Sequence, residues 1–186
     1  MSEDIVGAVI NSCMTANGWT YTDSIVPGEK IRGLDPHFVF RRLERQGETV
    51  LMTDGCRRVC RNAHDYDEYL LPANHESIEY SLELLTYIAY FHQTLKNLGP
   101  AKSYSLGESF ENHSRFTDLI VVAPYFLTES TYPIVDGVSR VYLSLCLPVL
   151  PKENDWVIQR DFEGVDGAVW DHKLEFFADL NRESFI

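Results

Sequence analysis

The fold of this chain is decided by the stretch Asp118–Pro151, which reads DLIVVAPYFLTESTYPIVDGVSRVYLSLCLPVLP. Its opening segment, Leu119–Ala123, is continuously apolar and contains three β-branched residues. Such a run is typical of a strand that is covered on both faces, and Pro124 is expected to end it. The stretch therefore begins with a predicted core strand.

The closing segment alternates strictly between two sets of side chains: Val141, Leu143, Leu145 and Leu147 in one, and Arg140, Tyr142, Ser144 and Cys146 in the other. This period of two predicts a half-buried strand that ends at Pro148. Between the two segments, Asp136–Gly137 is typical of a tight hairpin turn. Tyr132–Val135 is therefore predicted to pair back onto the alternating strand, and a central sheet follows.

Length and composition predict a single domain that spans residues 1–186. The 186 residues are 45% apolar and 12% aromatic, enough to fill the core of a domain that buries about 70% of its unfolded surface. No apolar run reaches the roughly 20 residues that span a bilayer, and the N-terminus MSEDI is acidic where a signal peptide would be basic. These features predict a cytoplasmic protein without a membrane partner.

The formal net charge of −12 is unevenly distributed. Residues 1–60 hold 7 basic and 8 acidic side chains, whereas residues 61–186 hold 9 and 20. Nucleic acid is not an expected partner, because neutralising phosphates requires a basic surface. The acidic surface suits a basic protein partner, although acidic side chains also keep a protein soluble without any partner.

The cysteines do not predict a metal site. Cys13 and Cys146 lie in apolar surroundings and are interpreted as small core residues. Cys56, Cys60 and His64 follow at intervals of four and would share one face of a helix. A structural zinc site needs a distant second pair of ligands, which the sequence lacks. Neither a metal nor another cofactor is therefore predicted.

Two helices are predicted before the central stretch. The first contains Ile5 to Cys13 at helical spacing, stops at Asn17–Gly18 and should pack on the sheet. The second is the long helix 74–98, which Asn74 can cap and Gly99–Pro100 ends. Its apolar stripe should cover one face of the sheet: Ile78, Leu82, Leu85, Ile88, Ala89, His92 and Leu95. His92 is interpreted as a core histidine with satisfied hydrogen bonds.

The remaining segments complete a mixed α/β fold with a sheet of about five or six strands flanked by helices. Two loops are predicted, 19–35 and 102–116, the second with a possible short strand at 104–106. The other predicted strands are 37–43 and 49–53, joined as a hairpin through Gly47, and 68–71, which ends at Pro72. Two acidic helices, 152–162 and 168–180, follow the central stretch.

No established catalytic motif is present, so the protein is predicted not to be an enzyme. The alternative is a hydrolase or thiol enzyme that uses Cys56, His64, His113 and Asp118. His113, Ser114 and Asp118 are also the residue types of a triad, but a triad is defined by geometry and not by proximity in sequence. The basic residues Arg57, Arg58 and Arg61 are interpreted as a solvated loop or as partners of nearby acids.

Five segments, in their order along the chain, resemble the suppressor of fused family: TVLMTDG (49–55), EYLLP (68–72), ESIEYSLELLTYIAYF (76–91), DLIVVAP (118–124) and VYLSLCLPVLPKEN (141–154). The shared features are a strand leading into a Thr-x-Gly turn, an acidic residue entering a Leu-Leu-Pro strand, a long helix, and a Leu-Pro strand exit followed by a helix with an early glutamate, here Glu153. The resemblance covers Phe38 to Leu180. The chain departs from it at Cys56–Cys60, where the family commonly has a Met- or Ser-rich turn.

The resemblance implies a mixed α/β fold that binds proteins and has no enzymatic activity. Animal members of the family hold a transcription factor in check, and small bacterial members, similar in size to this chain, look like immunity proteins for polymorphic toxins. We therefore expect a protein partner, and the candidate contacts are exposed acids on the long helix or the final segments: Glu76, Glu79, Glu83, Asp155, Asp161 and Asp171. The sequence identifies neither the partner nor the oligomeric state.

Overall fold

A computed structural model of the protein describes residues 2–59, 65–95, 98–99, 101–107, 114–127, 134–135 and 139–186. The strands in these ranges are β1 (Thr20–Ile25), β2 (Val39–Arg45), β3 (Glu48–Asp54), β4 (Asp65–Ala73), β5 (Lys102–Ser105), β6 (Asp118–Val122), β7 (Ile134–Val135) and β8 (Ser139–Val149). The helices are α1 (Ser2–Ala16), α2 (Glu29–Arg32), α3 (Ile78–Leu95), α4 (Pro151–Gln159), α5 (Val165–Trp170) and α6 (Leu174–Ala178), and a 3₁₀ turn covers Cys56–Arg58.

The strands form one mixed sheet in the order β1-β2-β3-β4-β8-β6-β5, with β7 pairing as well to β8. Strands β4 and β8 are parallel, and the other pairs in the described ranges are antiparallel. The mixed α/β architecture predicted from the sequence is confirmed. The predicted strand count of about five or six was low, since the described residues contain eight strands.

The two predicted central strands are confirmed, but β8 is covered on both faces. Leu145 lies in the core layer that includes α1, while Cys146 lies in the layer beneath α3. Ser144 is only 3% exposed, so the prediction that this strand is half-buried was wrong. The alternation predicted which residues of β8 share a face. It did not by itself show that both faces are covered. The pairing of Ile134–Val135 with β8 is confirmed, and Asp136–Gly137 lies outside the described residues.

Two prolines predicted to end strands lie inside them. Pro148 is opposite Leu119 in the β6–β8 pair, and Pro72 is opposite Val50 in the β3–β4 pair. The backbone oxygen of the next residue, Val149, accepts from Thr117, so the nitrogen and oxygen of Pro148 face away from β6. Pro148 therefore removes no hydrogen bond from that pair.

The core has two layers, one on each face of the sheet. One contains residues of α1, α4, α5 and α6, as expected for α1. The other contains residues of α2 and α3, which confirms that the long helix covers one face. Helix α3 is shorter than the predicted 74–98, because Asn74 and Ser77 bond reciprocally, side chain to backbone N–H, before the helix begins.

Three segments differ from the sequence predictions because tertiary contacts decide them. Strand β1 and helix α2 occupy the predicted loop 19–35; β1 is an edge strand with mostly exposed side chains, so it lacks an apolar alternation. Strand β5 covers Lys102–Ser105, so it overlaps the short strand considered at 104–106 in the predicted loop 102–116 but begins two residues earlier. The predicted helix 168–180 is two short helices, α5 and α6.

The C-terminal segment is fixed to the sheet by a buried ion pair. Arg182 Nη1 and Nη2 donate to the two carboxylate oxygens of Glu153 at 2.6 and 2.8 Å, and both side chains are at most 1% exposed. Arg182 Nη2 also donates to the oxygen of Pro148 at 2.8 Å. The guanidinium lies against four aromatic rings: Phe116, Phe176, Phe177 and Phe185.

Candidate functional site

A second buried carboxylate, Glu68 of β4, organises the connection that follows β3. Its Oε1 accepts from the backbone N–H groups of Gly55 and Arg57 at 2.9 and 3.2 Å. Its Oε2 accepts from the backbone N–H of Cys56 at 3.3 Å and from the Thr53 hydroxyl. Three consecutive amides of the 3₁₀ turn and its entrance therefore converge on one side chain, which fixes the path of the chain after β3.

The charge of Glu68 is balanced by a shared cation. Arg57 Nη1 donates to Glu68 Oε1 at 2.8 Å and also to Asp54 Oδ1. Burial raises the pKa of Glu68 to about 7, although Arg57 and Thr53 act to lower it. Burial acts in the same direction on Asp54, but Arg57 and Arg41 outweigh it and the pKa of Asp54 is lowered.

His92 of α3 holds the same turn from its other side. Its Nε2 lies 3.0 Å from the oxygen of Cys56 and 2.8 Å from the oxygen of Val59, so this nitrogen carries the hydrogen. Its Nδ1 is 2.9 Å from the hydroxyl of Tyr69. The interpretation of His92 as a core histidine with satisfied hydrogen bonds is confirmed.

Gly55 is required where β3 meets the turn. A Cβ added there would lie 2.4 Å from Cδ2 of Phe38, a buried ring. Since real side chains do not approach that closely, any other residue would displace either the ring or the turn. The glycine of the TVLMTDG segment is thus explained by close packing.

A cleft of about 420 Å³ opens beside this turn, between α1 and the sheet. It is lined by Gly7, Ala8, Ile10, Asn11, Tyr21, Arg41, Met52, Asp54 and Arg57. Arg41 Nε donates to Asp54 Oδ2 at 2.7 Å. A Cβ on Gly7 would lie 3.2 Å from Arg57 Nη2, so the small residue lets α1 approach the guanidinium. The buried charge cluster therefore reaches the surface at this cleft.

The residues of the enzyme alternative are not assembled by the described structure. Cys56 is fully buried, and burial followed by the charge of Glu68 raises its pKa, which disfavours the thiolate. Asp118 accepts from its neighbour Thr117 at 2.6 Å, and Ser114 bonds to Tyr80 at 3.0 Å. Two further members of these predicted sets, His64 and His113, lie outside the described residues.

The other sequence interpretations concern cysteines and arginines. Cys13 and Cys146 are both buried, at 5% and 0% exposed, which confirms them as core residues. Arg57 pairs with Asp54 and Glu68, and Arg58 pairs with Asp35 at 2.6 Å. This confirms partners within the chain for two of the three arginines; Arg61 and Cys60 lie outside the described residues. No group of three metal-binding side chains occurs in the part of the chain that is described.

All six acids predicted to bind a partner are exposed. Glu76 precedes α3, and Glu79 and Glu83 lie one turn apart on it. The second group is dispersed over the C-terminal helices: Asp155 on α4, Asp161 after it, and Asp171 at the end of α5. Two large apolar side chains lie exposed among the second group, Ile158 at 57% and Trp170 at 63%.

Sequence reasoning did not identify the cleft. Asp54, Gly55 and Glu68 belonged to segments quoted for the family resemblance, but their convergence is a tertiary property. Tyr21 and Arg41 carried no signal, because the first lay in a predicted loop and the second in a strand whose partner β1 was not predicted. An acidic residue entering an apolar strand was the one visible clue.

No protein-family model matches the sequence, and no curated protein matches it. Solved structures do match. A protein described as a suppressor of fused homologue from Neisseria gonorrhoeae FA 1090 superposes with a TM-score of 0.68 at 16% identity, covering 98% of this chain and 97% of that chain. A chain of the Sufu–Fu complex superposes with a TM-score of 0.57 at 14% identity, covering 98% of this chain and 90% of that chain.

These comparisons establish the fold of the chain. It is the suppressor-of-fused-like fold that the sequence resembles, and the quoted segments lie on β3, β4, α3, β6, β8 and the start of α4. None of the helices in the described ranges is long and apolar enough to cross a membrane.

Proposed function

We propose that this protein is a non-enzymatic, cytoplasmic binding domain that sequesters a protein partner. The observation that carries the proposal is the likeness, over 98% of the chain, to a chain of the Sufu–Fu complex. Burial of Cys13, Cys56 and Cys146 supports it, because a thiol nucleophile needs access and a lowered pKa.

The proposed partner is basic and meets the C-terminal acids Asp155, Asp161 and Asp171. Exposed Trp170 and Ile158 support this group over Glu76, Glu79 and Glu83, because interface hot spots combine a large apolar anchor with a charged rim. None of the exposed large apolar side chains in the described ranges lies on α3. The small size of the chain and its resemblance to bacterial family members favour an immunity role, in which the partner is a polymorphic toxin.

The experiment is a kinetic binding assay with the protein encoded beside this one in its genome. Electrostatic steering should make association slow as ionic strength rises, while dissociation changes little. Reversing Asp155, Asp161 and Asp171 to Lys should slow association by about tenfold or more, within the range attributed to electrostatic attraction.

The matched control reverses three acids on α3 and its entrance: Glu76, Glu79 and Glu83. It changes the net charge equally and should alter association less. An equal effect of both triple variants would contradict the chosen surface. Absence of binding to any neighbouring gene product, with an unmodified and folded protein, would contradict the immunity role.

A further inference from the structure

The cleft between α1 and the sheet has the construction of a small-molecule site. Its volume of about 420 Å³ falls within the roughly 300–1,000 Å³ of typical ligand pockets. Ile10 and Met52, both 2% exposed, belong to its wall, so part of the lining is apolar. Tyr21, Arg41 and Asn11 add polar groups. This pairing of an apolar wall with a few polar groups is what fixes a ligand's orientation.

Two of the polar groups that line the cleft, on Arg41 and Tyr21, have donors that remain open to it. Arg41 donates from Nε to Asp54 and from Nη1 to Ser24. Within the described ranges, Nη2 of Arg41 and the hydroxyl of Tyr21 make no hydrogen bond. The Arg41 side chain is 38% exposed, so a ligand can reach it. A guanidinium only donates, and it matches a carboxylate with two parallel bonds.

The hydroxyl of Tyr21 keeps its proton at neutral pH. Burial, followed by the nearby charge of Asp54, raises the pKa of this phenol well above its ordinary value. The group is therefore available to donate a hydrogen bond to an anion. Tyr21 and Arg41 lie on adjacent strands, which carry their side chains to the same wall of the cleft.

The charged side chains that line the cleft disfavour a cationic ligand. Two guanidiniums line the cleft against one carboxylate, and that carboxylate, Asp54, already accepts from Arg41 and Arg57 through different oxygens. An incoming ammonium would meet the arginines without a free carboxylate. A doubly charged phosphate would be repelled by Asp54 and Glu68, so a single carboxylate is the better match.

We propose that this cleft binds a small organic acid, with its carboxylate on Arg41 and Tyr21 and its apolar body against Ile10 and Met52. This site is separate from the C-terminal surface assigned to the protein partner and does not depend on that assignment. A carboxylate at the end of a polypeptide has the same chemistry, so the test includes both sources.

The test titrates the full-length protein with 3-phenylpropionate, its neutral amide and the corresponding amine, followed by NMR or calorimetry. Since a charge-assisted hydrogen bond exceeds a neutral one, the acid should bind about tenfold more tightly than the amide. The amine should not bind. The tripeptide Gly-Gly-Phe with a free C-terminus tests whether the carboxylate comes from a polypeptide. Binding of this peptide without binding of the free acid would overturn the proposal.

Variants locate the site. Arg41→Gln should weaken binding of the acid about tenfold, and Tyr21→Phe should weaken it less, since one neutral donor is lost. Ala8→Leu fills the cleft from α1 with a good helix former and should abolish binding. Arg58→Gln, in an ion pair with Asp35 and not among the lining residues, is the matched control and should bind normally.

Unfolding curves accompany each titration, so that a fold defect is separated from a binding defect. If Arg41→Gln is unfolded, Ala8→Leu and Tyr21→Phe decide the outcome. Equal affinity for acid, amide and amine would overturn the proposal, as would normal affinity in folded Ala8→Leu.

Discussion

Glu68 and Glu153 are both fully buried carboxylates that contact an arginine and backbone N–H groups, yet their pKa values shift in opposite directions. The pKa of Glu68 is raised to about 7, whereas that of Glu153 is lowered because Arg182 and backbone donors outweigh burial. Arg182 gives both terminal nitrogens to Glu153. Arg57 shares Nη1 between Glu68 and Asp54.

The difference shows that the partners of a buried acid decide whether the effect of burial on its pKa prevails. A carboxylate with its own bidentate guanidinium stays ionised and acts as a fixed structural connection. At Glu68, burial and the charge of Asp54 outweigh the guanidinium that these two carboxylates share, and the pKa is about 7 despite several backbone donors. The first environment fixes the C-terminus to the sheet, and the second lies beside the cleft.

The largest expected loss of stability is at the ion pair between Arg182 and Glu153. Arg182→Met should destabilise the protein by about 3 to 5 kcal/mol, because it leaves Glu153 buried without a counter-ion. Arg57→Met should cost less, because Asp54 retains Arg41 and Glu68 can take up a proton near neutral pH. Chemical denaturation of both variants at pH 6 measures the difference.

A double variant is the control for that prediction. Replacing Arg182 and Glu153 together with methionine should recover much of the loss, since no unpaired charge remains. Equal losses of unfolding free energy in Arg182→Met and Arg57→Met would mean that Glu68 and Glu153 depend equally on their arginines.

Next in size is the dependence of stability on pH. The folded protein holds a proton on Glu68 up to a pKa of about 7, whereas the unfolded chain releases it near 4.5. The folded state therefore binds more protons between these values, and the contribution of Glu68 to stability falls by about 3 kcal/mol as pH rises through this window.

The measurement compares unfolding free energies of the unmodified protein and Glu68→Gln at pH 5, 6, 7 and 8. The Gln variant should lose this part of the slope. Glu153→Gln should retain it, because the lowered pKa of Glu153 places its own contribution below 4.5, where stability is lost as pH falls. Identical slopes in all three proteins would contradict the raised pKa of Glu68.

Packing at the entrance to the turn gives a smaller effect. Gly55→Ala should cost about 1 to 3 kcal/mol, because its Cβ would overlap the ring of Phe38 and overpacking strains a core. Gly167→Ala is the control, since its Cβ meets nothing within 4 Å and alanine favours the α5 helix. Thermal unfolding should separate the two, and a neutral Gly55→Ala would show that the turn yields easily.

The smallest effect concerns the surface acids. Reversal of Glu79, Glu83 or Asp155 to Lys should change the unfolding free energy by no more than about 0.5 kcal/mol, because exposed charges contribute little. A loss above about 1 kcal/mol at any of them would indicate a structural role like that of the buried pair. Urea denaturation at neutral pH is the measurement.

The sequence by itself determined the elements whose burial pattern is local. Continuous apolarity at 119–123, alternation at 141–147 and the helical stripe of α3 each reflect contact with a layer of the core, so their periodicity survives in one dimension. The order of the quoted segments likewise predicted the fold that the solved structures share.

Tertiary structure alone decided the edge strand β1, the division of the last predicted helix and the two carboxylate environments. An edge strand with exposed side chains has little apolar pattern, and its existence depends on the neighbour that pairs with it. The sequences around Glu68 (YDEYL) and Glu153 (PKEND) do not by themselves predict that one pKa is raised and the other lowered. Their pKa values diverge because burial prevails at Glu68 but is outweighed at Glu153 by Arg182 and backbone donors, and contacts between residues as distant as Glu153 and Arg182 exist only in the tertiary structure.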